Sequence, residues 1–164
     1  MPEITAIGWF HTVVGIIAIL SGTYSLWMHR EITLESKTGQ VYLVTTLVTA
    51  ATALAIYQFG SFGVAHGLAV LTLVALLADY MASITTLFGG WSCYLRAVSW
   101  TSTLFFHSLP AVTDALMRLP VGSPVVTSID DPLLVNSYRV LIVLLFIGLI
   151  IQLRWIRGQQ LKSA

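Results

Sequence analysis

The chain is 164 residues long, 57% hydrophobic and only 9% charged. Soluble domains carry about 25% charged residues, so these few cannot cover a water-facing globule of this size, and lipid is the expected solvent for most of the surface. A net charge of +1 from scattered Lys and Arg excludes the clustered basic face of a nucleic-acid binder. The single cysteine, Cys93, excludes an internal disulfide and any cysteine-based zinc cluster.

A helix needs roughly 20 mostly apolar residues to cross the hydrocarbon core. The first such run covers about Thr5–Met28 and is closed by His29, Arg30 and Glu31. It lacks the basic leader of a signal peptide; Glu3 stands there instead. The polar stretch HREITLESKTGQ follows and reads as an exposed loop. The second run is about Val41–Phe59. The tight turn Gln58–Phe62 folds it back on a third, about Gly63–Leu87, which Asp79 interrupts late. Gly89 and Gly90 break the chain before the fourth run, about Ser92–Leu109. It is the most polar, with Arg96, Ser99, Thr101, Ser102, Thr103 and His107. Pro110 is expected to end or kink it, leaving PAVTDALMRLP as a short interfacial helix and VGSPVVTSIDDP as an extended loop. The fifth run is about Leu133–Trp155.

None of these runs alternates as a membrane barrel strand does. The expected fold is therefore all-α, a single domain over residues 1–164, a polytopic integral membrane bundle of about five transmembrane helices plus the interfacial one. Arg30, Lys37, Arg96, Arg154, Arg157 and Lys162 fall on one side of such a bundle, against Arg118 and Arg139 on the other. The positive-inside rule then puts the N-terminus outside and the C-terminus in the cytoplasm. Trp9, Trp27, Trp91 and Trp155 fall near span ends, as an interfacial aromatic belt requires.

Ionisable residues inside a membrane need a partner or a purpose. Asp79 and Arg96, near the cytoplasmic side of one hairpin, are expected to form a structural ion pair. His11, His66 and His107 lie at similar depth on three helices, in the outer half. Gly8, His11, Gly15, Ala18 and Gly22 share a face of the first helix, as do Gly63, His66 and Ala69 of the third. Small residues beside an inward histidine leave room for something bulky, and they also let helices pack closely. Two facing histidines can ligate a haem iron or hold a related tetrapyrrole pigment. All three together suit copper or zinc, with Asp114, about two turns beyond His107 on a continuing helix, as a further ligand or partner. The plainer reading is that these histidines hydrogen-bond neighbouring helices and do nothing more. Arg139 is expected to pair with Asp114, Asp130 or Asp131. No P-loop, GxSxG, HExxH or CxxC motif is present, so no reaction is indicated.

The segment FHTVVGIIAILSG, then MHRE and TGQVYLV, resembles a family of small uncharacterised bacterial membrane proteins. The matching positions are His11, Gly15, His29, Arg30, Gly39, Val41 and Tyr42, over about the first third of the chain. The eight residues between Arg30 and Gly39 depart from the pattern, where that family is usually shorter. The resemblance implies a bacterial inner membrane and carries no activity. Two functions remain open: a small membrane protein holding haem b or a related tetrapyrrole through His11 and His66, with His107 nearby, for electron transfer, or a non-catalytic accessory subunit of a larger membrane complex.

Overall fold

The computed structural model describes residues 4–57 and 61–163, and all regular structure among them is helical. Five long helices follow in chain order: α1 (Ala6–His29), α2 (Lys37–Ala55), α3 (Val64–Ile84), α4 (Ser92–Arg118) and α5 (Pro132–Ser163). Four of them, α1, α2, α3 and α5, are long and apolar enough to cross a membrane. That is one fewer than expected, because α4 has the length but not the hydropathy.

The reason is its position. Ala115 is the one residue of α4 that is exposed. The helix packs against α1, α3 and α5, and it meets α2 through the rings of Tyr42 and Trp100, 5.7 Å apart. A helix covered by protein on every side needs no lipid-facing apolar stripe. The opposite case is α5, whose Val143, Leu144, Phe146 and Ile147 are each about half exposed. Trp9, Trp27 and Trp91 are exposed near helix ends.

The ends of the helices follow from local chemistry. Thr5 caps α1 through its hydroxyl, which accepts the Gly8 N–H at 3.2 Å. Arg30 closes α1 in the left-handed region at φ 63°. The α1–α2 loop is shorter than its polar sequence suggests. Ser36 accepts the Gly39 N–H at 3.0 Å and starts α2 at Lys37, and Ile32 is buried in the core beside Tyr42 and Trp100. Gly39 is required there, since a Cβ would collide with the Thr33 carbonyl. Of the predicted tight turn over 58–62, residues 58–60 lie outside the described residues. Glu3 does too.

The separate interfacial helix does not form. Residues 110–118 continue α4, with Pro110 inside the helix. Proline deletes the bond its N–H would give to the Phe106 carbonyl. The turns around it are held from outside the backbone ladder: Thr113 donates to the Leu109 carbonyl at 2.8 Å and its hydroxyl meets that of Tyr138 on α5 at 2.6 Å. Residues 119–131 then form the irregular loop, ending where the Asp131 carboxylate accepts the Leu133 N–H at 2.8 Å and Pro132 opens α5.

Candidate functional site

The core of the bundle is a hydrogen-bonded aromatic cluster. Tyr42, fully buried, fits against Gly22, where a Cβ would sit 2.7 Å from the tyrosine ring. Its hydroxyl lies 2.7 Å from Thr103 Oγ1, which in turn donates to the Trp100 carbonyl at 2.8 Å. The single hydroxyl proton of Thr103 is therefore committed, and Tyr42 is the donor to Thr103.

Beyond this cluster, toward the 119–131 loop, the bundle opens into a cavity of about 600 Å³ between α1, α2, α3, α4 and residues 119–124. Ligand pockets commonly fall between about 300 and 1,000 Å³. The walls are mostly small and apolar: Gly15, Ala50, Ala53, Ala69 and Ala111 all line it. His11, His107, Asp114 and Arg118 also line it. His107 and Asp114 are two turns apart on α4 and share a face because the helix continues through Pro110. His11 comes from α1, within electrostatic reach of both.

The two cavity histidines are held differently. His11 Nδ1 lies 2.9 Å from Thr52 Oγ1 on α2. The His107 ring packs edge-on to Tyr42, with centroids 6.4 Å apart, and its Nε2 is buried without a hydrogen-bond partner. Asp114 pairs with Arg118 at 3.3 Å, so Arg139, whose guanidinium donates to Asn136 Oδ1 at 2.8 Å, takes a different partner from the acids expected of it.

His66 does not join them. Its Nδ1 accepts the Gly63 N–H at 3.1 Å at the start of α3, and its ring packs against those of Tyr57 and Phe62, at 4.6 and 4.9 Å. A helix N-terminus leaves backbone N–H groups without intrahelical partners, and this imidazole satisfies one. Of the three histidines, His11 and His107 line the cavity and His66 is not part of its lining. Among the described residues no group of three His, Cys, Asp or Glu side chains is placed to hold a metal ion by itself.

At the opposite end of the bundle, Arg96 Nε lies 3.0 Å from Asp79 Oδ1, with the carboxylate buried and the guanidinium partly exposed. Glu31 is near enough to feel Arg96. Burial pushes its carboxyl above the ordinary range, and the arginine pulls it partly back. Gln152 of α5 ties the same end together: its Oε1 accepts from Thr101 at 2.7 Å and its Nε2 donates to the Arg30 carbonyl at 2.9 Å.

Sequence reasoning missed Thr52 as the partner of His11. The signal was present in the run Thr45, Thr49, Thr52, a polar stripe at helical spacing along α2. Its members all bond back to their own helix, which is the commoner use of threonine in a helix and hides the second one. Compared with known protein families, curated proteins and solved structures, the chain matches none.

Proposed function

We propose that this protein is a small bacterial inner-membrane protein that holds haem, or a related tetrapyrrole, in the cavity between His11 and His107 and passes electrons through it. The observation that carries this reading is the cavity itself: two imidazoles from different helices line one space of about 600 Å³ walled by small residues. The residues fit such a group. His107 lines that space, and its Nε2 is a buried nitrogen with no hydrogen-bond partner, a costly arrangement that a metal bond would relieve once the ring turned this nitrogen toward the cavity. His11 has its other nitrogen engaged with α2, the usual arrangement of a ligating histidine. The walls offer apolar area for a flat ring. Bound there, the iron would supply one-electron chemistry, with its potential set by the axial ligands and their hydrogen bonds.

The orientation belongs to the same proposal. The N-terminus faces out and the C-terminus faces the cytoplasm, which places the cavity in the outer half of the bilayer. The distribution of Lys and Arg and the resemblance over the first third of the chain support it.

The test is an absorption spectrum of the detergent-purified protein, oxidised and then reduced with dithionite, before and after addition of ferric haem. The expected result is a Soret band that shifts on reduction, lost in His11→Ala and in His107→Ala and kept in His66→Ala. A protein that stays colourless after haem addition, or one bleached by His66→Ala alone, overturns this reading.

A further inference from the structure

A neutral imidazole carries one proton, and which nitrogen holds it decides which can bind a metal. At His11 the surroundings make that choice. Thr52 Oγ1 has three neighbours: the Val48 carbonyl at 2.8 Å, the Thr49 carbonyl at 3.1 Å and His11 Nδ1 at 2.9 Å. The hydroxyl has one hydrogen, and two of those neighbours are carbonyls, which only accept. Thr12, Thr45, Thr49, Thr72 and Thr113 each give their hydroxyl hydrogen to the carbonyl four residues back. With Thr52 doing the same, its oxygen is left as an acceptor facing the imidazole. The α2 side of His11 thus presents an acceptor.

We propose that Thr52 is the positioning residue of the cavity, holding His11 as the Nδ1–H tautomer so that the Nε2 lone pair is the one offered to a metal in the space between α1 and α4. This rests on the reading of the cavity as a tetrapyrrole site. The Nδ1–H···Oγ bond fixes the plane of the ring and raises the basicity of Nε2. His107 has no equivalent partner, so the two ligands of the site are unequal, one pre-oriented and one closing on the bound ring.

The inference is tested on the full-length protein in detergent with Thr52→Val, which keeps the shape and removes the hydroxyl, and Thr52→Ser, which keeps the hydroxyl. Two readouts are needed. The first uses ¹⁵N-histidine-labelled protein without haem, the His11 resonances being assigned by their loss in His11→Ala. The wild type and Thr52→Ser should show a protonated Nδ1 and a bare Nε2, and Thr52→Val a mixture of tautomers. The second is titration with ferric haem, followed by the midpoint potential of the loaded protein. Loss of such a supporting hydrogen bond weakens metal binding about 10- to 100-fold. Thr52→Val should fall in that range with a shifted midpoint, and Thr52→Ser should recover both. A wild-type His11 protonated on Nε2 overturns the inference, as does a Thr52→Val variant equal to wild type in tautomer, affinity and midpoint. A wild type that shows the Nδ1–H tautomer but takes up no haem overturns the parent reading instead, and with it the ligating role of Nε2.

Discussion

Gly15 and Gly22 lie on one face of α1, and the sequence pattern treats them alike. Their surroundings differ. A Cβ at Gly22 would be 2.7 Å from the ring of Tyr42, which cannot retreat because its hydroxyl is bonded to Thr103 and its ring lies against Trp100. A Cβ at Gly15 would make an ordinary contact with Thr49. Alanine improves helix propensity by about 0.8–1 kcal/mol over glycine, while forcing atoms into a packed core costs about 1–3 kcal/mol. Gly22→Ala should therefore lower the unfolding midpoint in detergent, by roughly 1–2 kcal/mol of stability. Gly15→Ala should leave it unchanged or raise it. Equal effects of the two changes would mean that α1 is rotated from the orientation described. The same comparison explains what was legible at this scale. Periodicity identified an inward face carrying His11. It could not say which neighbour each small residue meets, because that depends on a side chain from another helix.

At the scale of elements, α4 is where sequence and structure part most. Its polarity looked like a weak membrane span followed by a surface helix after Pro110. Instead the polar side chains are the internal connections of the bundle: Thr101 to Gln152, Thr103 to Tyr42, Arg96 to Asp79 and Thr113 to Tyr138. Hydropathy averages over a window and cannot distinguish a polar helix surrounded by protein from one lying in water. The four other helices were legible because lipid-facing residues must be apolar whatever the interior does. Thr103 is the sharpest test of α4 as a core element. Thr103→Val keeps the volume but leaves the Tyr42 hydroxyl buried without its acceptor, a loss of about 1–3 kcal/mol. Thr103→Ser, which keeps the oxygen, should retain most of that stability. Indifference to Thr103→Val in thermal unfolding would place Tyr42 in contact with water and remove the cluster from the core.

For the whole molecule, the question is how many helices cross the bilayer, and the internal ties bear on it. The start of α4 is bound to the end of α5, where the Tyr94 hydroxyl donates to Gln160 at 2.8 Å, and Gln152 of α5 reaches the Arg30 carbonyl at the end of α1. The far end of α4 lines the cavity with Ile4 and residues 119–124. A 27-residue helix is about 40 Å long, and α4 runs from one end of the bundle to the other beside its four apolar neighbours. If those neighbours span a membrane of about 30 Å, α4 must span with them. Five crossings and four make opposite statements about the 119–131 loop. With five, it lies across the membrane from the 30–36 loop; with four, it lies on the same side. Replacing Cys93 with serine removes the native thiol, and Glu35→Cys and Ser123→Cys place one thiol in each exposed loop. An impermeant maleimide applied to intact cells should label Ser123→Cys and spare Glu35→Cys until the membrane is opened. The reverse pattern would keep five crossings and invert the proposed orientation, moving the histidine cavity to the cytoplasmic half. Labelling of both, or of neither, would mean that α4 does not cross, and its packing along α1, α3 and α5 would be overturned with it.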